Sequence, residues 1–368
     1  MMNKPKNFLE QYFKEEKNKV DLELEKYLIE ISKSESIQNT LLYDFIKRVK
    51  DYLLPPNNKP KRLHPIILIA SFLGIANPHY IEEMADDIIS VALSVELLHN
   101  AKLIHDDLID KDITRRGFPS FHIRWANQLL ETYTDKDFPN KEESAREFGD
   151  TMAILGGNIT YFLGSQIIFK SKFENELKFK ALAEYNEAFN SINKGLIIEE
   201  YMFWNKITMT LEQYLNIAEL KTASLFEKSA KIGAILAKGN LNYQINPLSD
   251  FMLKLGQIHS IRDDILDLEK DLIHGEKKFP YIIAIQNTTE DQQKIINELY
   301  GKPDLNKNEI EEVLKIINET NALKIAQQFG LNLISQAKES LKKIYPELNK
   351  KSKKFFMELL DFSINREF

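Results

Sequence analysis

The sequence predicts an all-α protein, and three observations carry that expectation. Gly and Pro are scarce, 13 and 12 in 368 residues, too few for a loop-rich β fold. Leu, Ala, Glu and Lys are abundant, and these residues favour helix. Nearly every stretch between Gly, Pro and Asn punctuation repeats its apolar residues at helical spacing. With 43% apolar residues, the chain can bury a sizeable core.

Taken in order, residues 8–34 and 37–54 carry apolar stripes of helical period. Pro55-Pro56-Asn57-Asn58-Lys59-Pro60 breaks the pattern. Asn77-Pro78 is a helix start, an N-cap acceptor followed by Pro at the first helical position. One long apolar helix is expected from there to about Asp112. Residues 132–141 read as a polar loop, and helices follow at about 142–171 and 174–205. Thr210 with Gln213 three residues on is a capping-box pattern, and Gly239 suits the end of that helix. Another helix is expected over about 247–273, and Gly301-Lys302-Pro303-Asp304 is a turn. The lysines near the C-terminus (338, 342, 343, 350, 351, 353 and 354) read as a solvated helix face. No low-complexity linker or internal repeat divides the chain, so a single all-α domain over 1–368 is expected.

The bulk charge excludes some functions. Lys and Arg number 49 against 55 acids, a net charge of -6, which gives no bulk pull toward nucleic acid. Cysteine is absent, so disulfides and thiolate metal sites are impossible and a reducing compartment is compatible. The charged N-terminus shows no signal peptide. No stretch approaches the ~20 apolar residues of a spanning helix. The expectation is a cytoplasmic protein with no transmembrane segment and no nucleic-acid partner.

Two acidic clusters stand out. The first lies in LIHDDLIDKDITRRG, where Asp106 and Asp110 share a helix face and Asp107 flanks them. The second, IRDDILDLEKD, repeats the spacing with Asp263, Asp264 and Asp267, and Asp271 adds a turn. Each cluster closes an apolar helix. Carboxylates at a helix C-terminus oppose the macrodipole, and like charges four apart repel. A cation compensates both, and oxygen ligands in small number suit Mg²⁺, which shares its shell with water and phosphate. One such cluster could be a solvated helix end; its duplication argues otherwise. Arg115-Arg116 follow the first cluster, and their forks match phosphate oxygens. Metal-binding acids beside phosphate-binding bases make a candidate diphosphate site.

These residues resemble the trans-isoprenyl diphosphate synthase (polyprenyl synthetase) family. VELLHNAKLIHDDLIDKDITRRGFPSFH (95–122) resembles its first aspartate-rich region and RDDILDL (262–268) its second. ELKTASLFEKSAKIGAIL (219–236) resembles its Lys-Thr helix, and PKRLHP (60–65) a worn form of its N-terminal Gly-Lys-x-x-Arg-Pro motif. The resemblance spans roughly residues 40–290. It implies an isoprenoid-synthase-like bundle of about ten or more mostly antiparallel helices around a central cavity, usually a homodimer.

It also implies roles. Asp106, Asp110, Asp263 and Asp267 would hold Mg²⁺, about three ions with substrate bound. Asp107 and Asp264, counted with the catalytic acids, would complete that metal shell directly or through water. Arg115, Lys221 and Lys277 would contact the allylic diphosphate, with Thr222 beside it. Lys61, His99 and Arg116 would hold isopentenyl diphosphate. The implied reaction ionises an allylic diphosphate and joins the cation to isopentenyl diphosphate, giving a geranylgeranyl or longer polyprenyl diphosphate. Such a cation survives only in a water-free tunnel.

The sequence departs from the family pattern mainly on the acceptor side. Pro60 replaces a Gly, and His64 stands where the family's Arg would grip isopentenyl diphosphate. Leu196 replaces the Gln after Gly195, and His259-Ser260 replaces a Phe-Gln pair. The loop from Asp271 to Lys277 is short, and one phosphate-binding lysine is missing from it. An insertion of roughly twenty residues near 126–148 reads as a surface elaboration. These departures keep two alternatives open: a same-fold terpene synthase or prenyltransferase with another acceptor, and a non-catalytic subunit of a hetero-oligomeric synthase. Small Ala101, with Leu98, lies on the helix face running down from Asp106, which implies an open tunnel. Lys102 beside it is expected to point away.

Overall fold

Helix follows the apolar spacing throughout the computed structural model, which describes residues 8–36, 40–56 and 60–365. Residues 57–59 of the Pro/Asn break and 1–7 of the charged start lie outside the described residues. The chain forms two compact units that interleave in sequence: Met1–Phe189 with Ile232–Lys238, and Asn190–Lys231 with Gly239–Phe368.

The first unit begins with α1 (Phe8–Ser36), α2 (Thr40–Leu53), α3 (Leu63–Ile75), α4 (Pro78–Glu83) and α5 (Ala85–Ile109). A two-stranded hairpin, β1 (Thr114–Arg115) and β2 (Phe118–Pro119), leads to α6 (Phe121–Thr132), α7 (Lys141–Lys170) and the first part of α8 (Asn175–Trp204). Asn77 caps α4 as its sequence implies, accepting from the Tyr80 N–H. The helix expected from 78 to 112 is instead two, because the chain turns at Met84 (φ −105°, ψ 13°). α5 is the core helix of this unit, packed on α1, α3 and α7. Val91, Ala92, Val95, Leu97, Leu98, Ala101 and Ile104 are fully buried along it.

α5 and α7 are long and apolar enough, by length and composition, to cross a membrane. That corrects the expectation that no stretch approaches this limit. The two lie against each other; 72% of the apolar window of α5 is buried inside the protein, against 44% of that of α7, so only α5 is a fully packed core helix. The physical reason is that a core helix surrounded on all sides needs no polar face.

The second unit holds the end of α8, then α9 (Leu211–Ala218), a π-helical turn (Glu219–Ala223) and the start of α10 (Ser224–Leu236). A second π turn (Leu241–Ile245) precedes α11 (Asn246–Leu266), α12 (Leu268–His274), α13 (Phe279–Asn287), α14 (Glu290–Leu299), α15 (Lys307–Glu319), α16 (Ala322–Lys342) and α17 (Lys350–Asn365). α11 is its axis, packed on α16, α17, α13 and the first π turn. The capping box at Thr210 forms as read from sequence. Gly239 does not close α10; Lys238 takes the left-handed conformation (φ 61°) instead. The helix expected over 247–273 breaks at Asp267, between α11 and α12. The turn at 301–304 is present, with Gly301 at φ 75° and Asp304 at φ 59°. Of the C-terminal lysines, Lys342, Lys353 and Lys354 pair with surface glutamates and Lys338 with Asp361.

Candidate active site

The first acidic cluster closes α5. Asp107 is fully buried. The Tyr52 hydroxyl donates to its Oδ2 at 2.9 Å, and Arg115 Nε donates to its Oδ1 at 2.6 Å. Burial pushes the Asp107 carboxyl above its ordinary pKa, and the Arg115 guanidinium opposes that rise. Arg115 also reaches Asp112 Oδ2 at 3.2 Å. Asp106 is buried, whereas Asp110 is exposed at the C-cap of α5.

Lys102 does not point away. Its ammonium lies 2.5 Å from Asp106 Oδ2, one helix turn back. The reason is local: the residue four before an acid shares its face, and a cation near the C-terminus relieves the dipole.

The hairpin after α5 sets Arg115 and Arg116. Arg115 pairs with Phe118 and Thr114 with Pro119. The two turn residues, Arg116 (φ 56°) and Gly117 (φ 78°), are both left-handed, the requirement of a I′ turn. Gly adopts that conformation freely and Arg does not, so Arg116 is held at some backbone cost. Its guanidinium is half-buried, and burial lowers its pKa.

At the start of α3 Lys61 is exposed and His64 is buried. The rings of His64 and His99 lie 4.9 Å apart. Burial, then the fields of Lys102, Arg116 and Arg115, push His99 down to about 3, so its imidazole is neutral. Arg62 cannot stand in for the missing motif arginine. It is buried, donating to Asp21 (2.8 Å), Glu96 (2.5 Å) and the Leu53 carbonyl (2.8 Å).

The second cluster closes α11 on the same plan. His259 Nε2 lies 3.5 Å from Asp263 Oδ2, again one turn back from the first aspartate. Asp264 accepts from the Tyr214 hydroxyl and, at 3.2 Å, from the Phe279 N–H. Burial raises it to about 6, against the pull of Lys278. Asp267 is exposed at the C-cap of α11. Asp271 is buried on α12, and burial with the nearby Glu276 charge raises it to about 8.

Beside this cluster Glu199 joins two lysines. It accepts from Lys221 and, at 3.2 Å, from Lys278, which also pairs with Glu276 at 3.0 Å. Despite burial, the two ammonium groups hold the Glu199 carboxyl down at about 2. Lys221 and half-buried Thr222 ride on the first π turn, a distortion frequent at functional sites. Gly195 lets α8 lie against that turn, since a Cβ there would fall 2.7 Å from Lys221 Cγ. Lys277, the lysine singled out from sequence, is exposed over the Tyr281 ring at 5.6 Å; its neighbour Lys278 joins the cluster.

The structure thus gathers Asp106, Asp107, Arg115, Arg116 and His99 within the first unit, and Asp263, Asp264, Lys221 and Thr222 within the second. Sequence reasoning missed Tyr52, Tyr214, Glu199 and Lys278. The bases one turn before each cluster, Lys102 and His259, were not read as partners either, although their i, i+4 spacing was a signal that could have found them.

Among the described residues no three His, Asp or Glu converge as a ready-made metal cage. The available donors are carboxylate oxygens in ones and twos, with Lys102 and His259 standing where a cation would neutralise Asp106 and Asp263. That donor set fits Mg²⁺, which completes its shell with water and phosphate, better than metals that need a closed protein cage.

Comparison with known proteins adds ancestry to this geometry. A family model described as polyprenyl synthetase matches residues 44–317. A geranylgeranyl diphosphate synthase of Saccharolobus solfataricus is 28% identical over 319 residues, 83% of this chain and 86% of that protein. A geranylfarnesyl diphosphate synthase of Aeropyrum pernix is 27% identical over 83% of this chain and 90% of that protein. The crystal structure of a geranylgeranyl pyrophosphate synthetase from Pyrococcus horikoshii superposes with a TM-score of 0.78 at 25% identity, covering 97% of this chain and 99% of that one. A Corynebacterium glutamicum geranylgeranyl pyrophosphate synthase, complexed with isoprenyl diphosphate and magnesium, reaches a TM-score of 0.83 at 20% identity over 95% of this chain and 98% of that one, a likeness of fold.

Proposed function

The chain belongs to the polyprenyl synthetase family and is a trans-prenyltransferase, and from that premise we propose that it condenses isopentenyl diphosphate with an allylic diphosphate to a geranylgeranyl or longer product. The observation that carries this reading is the Arg115-Arg116 hairpin laid against the carboxylates that close α5. Anion-binding forks and cation-binding acids then meet at one helix end, as a metal–diphosphate needs.

In this reading Asp106, Asp110, Asp263 and Asp267 hold Mg²⁺, and Asp107 and Asp264 orient the groups around them. The metal, when bound, neutralises charge growing on the leaving diphosphate. Arg115, Lys221 and Thr222 bind the allylic diphosphate, with Lys278 added because Glu199 holds it beside Lys221. Lys277, exposed at the surface, remains a candidate for the same anion. Lys61, His64, His99 and Arg116 bind isopentenyl diphosphate. A neutral His99 contributes a directed hydrogen bond and no charge. The small side chain of Ala101, on the face of α5 below Asp106, supports a long product, although in this structure it is packed in the core with Leu98.

The reading also includes one catalytic domain and a homodimer in a reducing, cytoplasmic setting. Exposed Ile154, Leu155, Phe162 and Phe169 on α7 support the dimer, since such a patch favours burial.

A second reading keeps the ionisation and changes the acceptor. His64 in place of Arg favours it, because an unperturbed imidazole carries little charge near neutrality. One experiment separates them: purified protein with labelled isopentenyl diphosphate and an allylic diphosphate, in Mg²⁺ and in EDTA, with products sized by chromatography. Elongated diphosphates only in Mg²⁺ are expected. A hydrocarbon or alcohol without elongation would favour the second reading, and no turnover would reject both.

A further inference from the structure

Charged groups crowd the end of α5 around Asp106. Four carboxylates (Asp106, Asp107, Asp110 and Asp112) cluster at the end of α5, with Lys102 on Asp106 and Arg115 on Asp107 and Asp112. Lys102, Arg115 and Arg116 all act on the His99 ring, as does Asp106, so these groups share one neighbourhood. Lys102 and Asp106 are largely shielded, their side chains 17% and 11% exposed. Their interaction is therefore less screened than a surface pair.

An ammonium at 2.5 Å from Asp106 Oδ2 occupies the approach that a divalent cation would use on that oxygen. Both cannot sit there, since like charges a few ångströms apart repel. Removal of Lys102 leaves the Asp106 carboxylate without the ammonium beside it, a stronger attraction for a cation. Arrival of a diphosphate has the same effect in another way. It brings anionic oxygens to which a flexible lysine head can turn, leaving the carboxylate to the metal.

We propose that Lys102 is a resident counter-ion of Asp106 that must vacate the carboxylate before a divalent cation binds, which couples metal loading to the arrival of diphosphate. The proposal rests on the reading of Asp106 as a metal ligand. The same arrangement recurs at His259 and Asp263, where the base also sits one turn before the first aspartate.

The test is a titration with Mn²⁺ alone, read from the spin-resonance signal of the free ion, on wild type, Lys102→Met and Lys102→Gln. Folding of each is checked by circular dichroism, and two substitutions guard against one that packs badly. Both variants are expected to bind Mn²⁺ about tenfold more tightly than wild type. With saturating inorganic pyrophosphate the gap should close, because the wild-type lysine has then moved to the anion. Equal Mn²⁺ affinity in wild type and variants, with Asp106→Asn weakening it, would overturn the counter-ion role and leave Asp106 as a ligand. If Asp106→Asn changes nothing either, the reading of Asp106 fails and the proposal with it. A gap that persists unchanged in pyrophosphate would overturn the coupling.

Discussion

Gly195→Ala tests whether Lys221 must sit where the π turn puts it. A Cβ on residue 195 would lie 2.7 Å from Lys221 Cγ, 3.0 Å from Leu220 Cβ and 3.1 Å from the Lys221 backbone nitrogen. Ordinary contact begins near 3.4 Å, so the Lys221 stem must retreat by about 0.7 Å and its backbone by about 0.3 Å. The turn has little room on its far side. Gly256 of α11 abuts it, with a would-be Cβ only 2.5 Å from Ala223 Cα. In an unconstrained helix the substitution would stabilise by about 0.8–1 kcal/mol. Overpacking costs about 1–3 kcal/mol, so the net loss is about 0–2 kcal/mol and the protein stays folded. Activity should suffer more than stability, since a misplacement of about 1 Å at a reacting site can cost about 10²-fold. We expect kcat/KM for the allylic diphosphate to fall by about 10- to 100-fold, with Tm lower by only a few degrees. Steady-state rates at saturating isopentenyl diphosphate, beside a thermal melt, measure both. A folded variant within twofold of wild type would refute the requirement for Lys221 at this position.

Asp271→Asn gives a pH signature. The folded carboxyl titrates at about 8 against 3.8 unfolded, so the native state holds the extra proton between them and stability falls as pH rises through that window. Melts in EDTA should show the variant losing part of this slope, at most about 1.4 kcal/mol per pH unit, and gaining on wild type at pH 8; parallel pH profiles would refute it. Arg62→Met leaves buried Glu96 with only the Asn100 amide and Asp21 with only Lys17, and should cost about 3–5 kcal/mol in urea unfolding; a loss below about 1 kcal/mol would mean the network is replaceable. Ala101→Phe should shorten the product, read by chromatography of the dephosphorylated chains. An unchanged spectrum would show that Ala101 does not set length.

The helices and both acidic clusters were legible because periodicity and i, i+4 spacing are local properties. What escaped was set by distant partners. Nothing near Asp107 or Asp264 in sequence points to Tyr52 or Tyr214, which lie 55 and 50 residues away. Lys277 and Lys278 are adjacent, and only the fold decides which meets Glu199. The break at Met84 and the left-handed Lys238 and Arg116 were hidden for another reason: packing holds residues there in conformations that their intrinsic preferences oppose. Lys102 was expected to point away, although its partner Asp106 stands one helix turn on.

The two D-D-x-x-D clusters, in different units, sort their aspartates alike, and that parallel bears on their division of labour. In each, the first aspartate faces a base one turn back, Lys102 or His259. The second accepts from a buried tyrosine and a further donor, Arg115 Nε in one case and the Phe279 N–H in the other. The third is exposed at the C-cap of its helix. A carboxylate whose lone pairs are taken by fixed donors is poorly disposed to bind a mobile ion, while one facing an exchangeable base or solvent is well disposed. In the proposed site the second position is therefore the one suited to anchoring the helix end, and the first and third stay the candidate metal ligands. Burial raises the pKa of both second aspartates, and each remains a hydrogen-bond acceptor only while its donors stay in place. Spacing alone shows three equivalent acids; their partners make them two kinds.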